Sequence, residues 1–136
     1  MAELAITAAD VVKTSTTAIS EGIAGATITA GMVLYVDTAA AGVLKPCDAD
    51  VAASTVCAGI ALHAALTGQP IKYATGGDLT LSGMTVGRIY LVSQTTAGSM
   101  CVDADILTGD FVSIVGVAST ATNLKIQINN SGVARP

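Results

Sequence analysis

Aromatic and charged side chains are what this chain has least of. It has no tryptophan, one phenylalanine and three tyrosines, and Asp, Glu, Lys and Arg together make up 12% of its 136 residues. A surface that stacks sugars or nucleobases needs exposed rings. Tyr35, Tyr73, Tyr90 and Phe111 are the whole supply, and Tyr35 and Tyr90 sit in strand-like runs suited to a core or an interface. Six basic residues in no run, against ten acidic ones, argue against nucleic acid, whose phosphates are held by clustered cations. They argue equally against an anionic membrane surface.

Long apolar runs are also missing. The longest stretch without formal charge, Val51 to Ile71, is broken by Ser54, Thr55, Gly59, His63, Thr67, Gly68, Gln69 and Pro70, whereas a spanning helix needs about 20 mostly apolar residues. Acidic Glu3 and Asp10 near the start stand where an export signal needs a basic start and an unbroken apolar segment, so synthesis in a cytoplasm is expected.

Three cysteines, Cys47, Cys57 and Cys101, are odd in number and form no C-x-x-C pair, which speaks against a disulfide scaffold and a structural zinc. Cys57, within VCAGIAL, reads as a small buried hydrophobe. Cys47 and Cys101 precede the two Asp-Ala-Asp triplets at nearly matching places, so they are candidates for proximity.

The only histidine, His63, has no nucleophile in a G-x-S-x-G turn to serve, and catalysis needs a base, a nucleophile and an orienting group together. Asp48 and Asp50, with Asp103 and Asp105, present carboxylates at i and i+2, a common way of offering oxygen to calcium. Neither triplet continues as a calcium loop, and turn-capping by Asp is the stronger reading. No catalytic, metal or cofactor-binding residue is assigned, and no cofactor is expected.

What the chain has in abundance is self-similarity, small residues and apolar ones. Apolar residues are 51% of the chain and glycines number 14. An offset of 56 positions pairs Thr29 with Thr85, Gly31 with Gly87, Val36 with Val92, Ala41 with Ala97 and Gly42 with Gly98. With small gaps, Cys57 to Ala61 falls on Ile114 to Ala118. Such self-similarity marks an internal duplication, here with copies at about 28–73 and 84–128.

Met32 to Val36 and Arg88 to Val92 are β-branched and aromatic runs, each followed by a glycine turn and a second short strand. Thr55 to Leu62 reads as a strand because its counterpart, Phe111 to Val117, is a poor helix and a good strand. Thr75-Gly76-Gly77-Asp78 reads as a tight hairpin turn. The expected fold is all-β: a small β-barrel or β-sandwich of nine to twelve short strands built from two strand-turn-strand repeats. Residues 1–27 are an extended N-terminal arm or edge strand, and 28–136 a single β domain. So little charge also points to self-association, because interface cores are depleted in charge.

The order Gly-x-x-x-Tyr-Val-Asp, AAGVLKPCDAD, AGIALHAALTGQPIKY, VGRIYLVSQTTAGSM and VGVASTATNLKIQINNSGVARP resembles small tailed-phage virion proteins of the head-decoration, or capsid-cement, type. The likeness covers about residues 28 to 136 and leaves the arm unmatched. It implies a non-enzymatic protein that binds the major capsid protein on the outside of an assembled shell, as a homotrimer rather than a dimer, and braces it against packaged DNA. The same motifs occur in head-fibre and tail-fibre segments, so a host-attachment module is the alternative.

Overall fold

A computed structural model describes residues 6, 10–48, 54, 56–93, 96–102, 106 and 108–134. The domain is all-β. Among the described residues ten strands are formed: β1 (Val12–Lys13), β2 (Ala18–Ile23), β3 (Val33–Asp37), β4 (Val43–Pro46), β5 (Gly59–Ala61), β6 (Pro70–Thr80), β7 (Ile89–Val92), β8 (Met100–Val102), β9 (Phe111–Ala118) and β10 (Asn123–Ala134). All strand pairings are antiparallel and follow the order β4-β3-β5-β6-β10-β9-β7-β8, with β1 and β2 beside β6. The path is open between β4 and β8, so the sheet is a curled half-barrel; a closed barrel or sandwich is a finer statement than these pairings make.

The first four strands of that path and the last four, read inward from each end, pair alike. Leu34 faces Pro46 and Tyr90 faces Val102, 56 positions later at both ends. Val33 faces Ile60 as Ile89 faces Val117, and Ala61 faces Tyr73 as Ala118 faces Leu124. The turns into β3 and β7 also agree. Gly31 N–H donates to Ala61 C=O at 2.9 Å and Gly87 N–H to Ala118 C=O at 2.8 Å. Both glycines have positive φ, +92° and +81°, a conformation that a Cβ disfavours.

The two units share one core. Val33, Ile60 and Ala74 from the first pack with Tyr90, Val92, Met100, Val115 and Leu124 from the second. Fully burying a side chain of Leu or Ile size is worth about 1.5–3 kcal/mol. Gly98, between β7 and β8, donates to Cys47 C=O at 2.7 Å and accepts from Val33 N–H at 2.9 Å. The opposite face of the first unit is covered separately: Leu34, Leu44 and Ile71 pack with Ala24 and Ile28. Val33 and Leu34 are therefore both buried although their side chains point to opposite faces.

Two expectations are revised. Gly76-Gly77 is no hairpin turn, because β6 runs through it from Pro70 to Thr80. Gly77 has φ +77°, and a Cβ there would overlap the carbonyl of Thr16, so the pair admits a close approach inside a long strand. Of the strand expected over Thr55 to Leu62, Thr55 lies outside the described residues, and among the others the strand is confined to Gly59–Ala61. Of the segment expected as an arm or edge strand, β1 and β2 lie antiparallel along β6, from Val12 opposite Thr80 to Ile23 opposite Pro70. Ala24 and Ile28 follow as core residues.

Candidate functional site

His63 follows β5 and is exposed. Its Nδ1 lies 2.9 Å from Ala64 C=O, and its Nε2 lies 3.1 Å from the backbone N–H of Lys72. The second contact needs a lone pair on Nε2, which places the proton on Nδ1, donated to Ala64 C=O. Both ring nitrogens are thus spent on backbone, tying the loop after β5 to β6. A shallow groove of about 350 Å³ beside it is lined by Val11, Val12, Ile19, Leu62, His63 and Lys72, among others. The Lys72 ammonium pairs with Glu21 at 3.6 Å on the surface. Among the described residues that line this groove there is no Ser, Thr or Cys.

Of the Asp-Ala-Asp residues, Asp48 is described; Asp50, Asp103 and Asp105 lie outside the described residues. Asp48 organises a loop, since its N–H donates to Ser54 C=O and its C=O accepts from Ser54 Oγ, both at 3.0 Å. Among the described residues no group of three His, Cys, Asp or Glu side chains could hold a metal. Asp37 is built into the β3–β4 turn. Its Oδ1 accepts from Ala39 N–H at 3.1 Å, capping the 3-10 turn Thr38–Ala40, and its Oδ2 accepts from Lys45 Nζ at 2.8 Å. The Lys45 hydrogen bond holds the Asp37 carboxyl below its usual range, and Asp37 in turn lifts the Lys45 ammonium.

All three cysteines are buried thiols. Cys47 neighbours Cys57 in the shared core and not Cys101, which packs with Leu91 and Ile106. Burial pushes the Cys47 thiol far up, and the hydrogen bond with Cys57 adds to it, so neither the thiolate nor its nucleophilicity is available. Tyr90 is buried, with its hydroxyl accepting from Thr85 N–H at 2.8 Å. Tyr35 and Tyr73 pack against the two main clusters.

Two features escaped the sequence. Asn130 grips the backbone of Cys57 through both amide atoms, accepting from its N–H at 2.9 Å and donating to its C=O at 3.0 Å. An Asn inside a strand, where its type is uncommon, was the available signal. The second is a partly exposed groove on β7, β9 and β10. Ile89, Ile114, Val117 and Ile128 bound a shallow groove of about 450 Å³ with Gln127 and Asn129. Its geometry suits a broad contact with another surface better than enclosure of a small molecule.

Compared with protein-family models, with curated proteins and with solved structures, the chain finds no match in any of the three.

Proposed function

We propose that this chain is a structural protein of a tailed-phage virion, binding the outer surface of the assembled capsid as a homo-oligomer, a trimer in preference to a dimer. We further read its domain as a small barrel of two strand-turn-strand repeats, brought towards closure by the Gly98 hydrogen bonds. The support is the motif order from Gly31 to the C-terminus, together with the paired strand registers. The observation that carries most weight is the shallow, partly exposed groove at Ile89, Ile114, Val117 and Ile128 on a chain with so few charges.

Bracing by such a protein is additive. Each contact with a capsid subunit is modest, and repetition around the shell, with the subunits linked to one another, raises the effective affinity. The partner is the major capsid protein; no cofactor or reaction is part of this reading. Ordered attachment through the N-terminal residues is restricted to those before β1, because β1 and β2 are already paired with β6.

Purified protein mixed with empty mature capsids of its own phage and imaged by electron microscopy should occupy regular positions on the outer surface and raise the temperature at which the shells burst. Absence from the shells, with density on head or tail fibres of the intact virion, would replace this reading with the attachment module.

A further inference from the structure

The groove beside His63 is where the shared core reaches the surface. Ile19 pairs with Ala74 and Glu21 with Lys72 across β2 and β6, and residues two apart on a strand point the same way, so these four side chains lie on one face. Ala74 belongs to the shared core, as does Val11, and Leu62 packs against it. Val11, Ile19 and Leu62 give the groove its apolar lining, and it holds about 350 Å³. That is within the range of ligand pockets, about 300–1,000 Å³. Val12 and Ile19, both in the lining, are 52% and 39% exposed.

Charge distinguishes the groove further. Among the described residues, three charged side chains line it: Lys13, Glu21 and Lys72. Lys72 and Glu21 are 3.6 Å apart and offset each other. His63 adds no charge in the state that accepts from Lys72 N–H, because Nε2 then keeps its lone pair. Lys13 makes no ion pair among the described residues, and Asp10, its nearest acidic neighbour along the chain, lines a different recess with Thr80 and Ser82. One ammonium is left over. On a chain of net charge −4, the groove is locally cationic and apolar at once.

We propose that this groove binds an aliphatic monocarboxylate, its chain laid along Ile19 and Leu62 and its carboxylate paired with the Lys13 ammonium. The single unpaired cation sets the charge of the ligand. Volume sets its size: at about 30 Å³ per non-hydrogen atom, the share of a molecule in liquid water, about twelve atoms fill the groove, which is a carboxylate of about ten carbons. A cationic amphiphile of the same length is repelled by the same ammonium. The site goes beyond the virion reading and is independent of it, since it belongs to the isolated chain.

The full chain, titrated with sodium decanoate below its micelle concentration, should bind one molecule by isothermal calorimetry. Amide shifts in a proton–nitrogen NMR spectrum should centre on residues 11–13, 19–21, 62–63 and 72. Octanoate, shorter by two methylenes, should bind about four- to fifteenfold more weakly, and decyltrimethylammonium should not compete. Lys13→Gln should weaken decanoate binding about three- to fivefold, the scale of an exposed ion pair. Lys13→Arg should restore it, and Lys125→Gln, on β10 outside the groove, should leave it unchanged. No binding at millimolar decanoate, equal binding of decyltrimethylammonium, amide shifts centred elsewhere, or full affinity in a natively folded Lys13→Gln would overturn the proposal. Circular dichroism checks that folding. Should Lys13→Gln not fold, the shift map and the comparison of the two amphiphiles, both made on the unaltered protein, decide.

Discussion

Gly59 and Gly116 occupy the same place in the two halves of the sheet. A Cβ on Gly59 would overlap the carbonyl oxygen of Ala74, and one on Gly116 that of Lys125. Ala74 pairs with Ile60 and Lys125 with Val117, so the obstructing carbonyl belongs to the corresponding residue each time. The adjacent strand in both cases approaches over a position that tolerates no side chain. The two glycines therefore agree in local sterics.

Gly59→Ala and Gly116→Ala should each destabilise the domain by about 1–3 kcal/mol, the usual cost of forcing an atom into a packed site. The obstacle is backbone that cannot rotate away. Urea unfolding monitored by circular dichroism checks this, and a change in either variant within experimental error would show that the strands can part without cost.

Removal of residues 2–20 should weaken the fold and not merely shorten a tail. It strips β1 and half of β2 from β6 and takes Val11 from the core. A loss of at least about 2 kcal/mol is expected, the scale of one large buried side chain, read as a lower denaturant midpoint. A truncated chain with the original midpoint would show that these pairings add nothing to stability.

The Asp37–Lys45 pair makes stability depend on pH at both ends of the range. Because the folded pKa of Asp37 is depressed, its contribution is present above the unfolded pKa and lost as pH falls through the lower folded value. Lys45 is raised, so its contribution is complete below its unfolded pKa and lost as pH rises through the higher folded one. The melting temperature of the unaltered protein should exceed that of Lys45→Met at neutral pH, and the gap should shrink in strong acid and strong alkali. Salt should narrow it too, since the pair is near the surface. A gap constant from neutral pH into acid would contradict the assignment.

Much of the architecture could be read in advance because it is local. The runs Val33 to Asp37 and Ile89 to Val92 are strands by residue type, and Gly31, Gly42, Gly87 and Gly98 all have positive φ, as turn glycines do. Gly76-Gly77 misled, because a glycine pair marks either a hairpin or a close backbone approach, and only the position of Thr16 distinguishes them. The grip of Asn130 on Cys57 spans 73 positions, beyond the reach of any pattern along the chain.

The amino-acid order by itself determined that this is a β-protein and where several of its strands turn, since strand preference and glycine conformations act over a few neighbouring residues. Only the tertiary structure decided that Val33 is buried while its counterpart Ile89 is exposed. Burial depends on what lies across a face, and that is settled by strands far away in the chain.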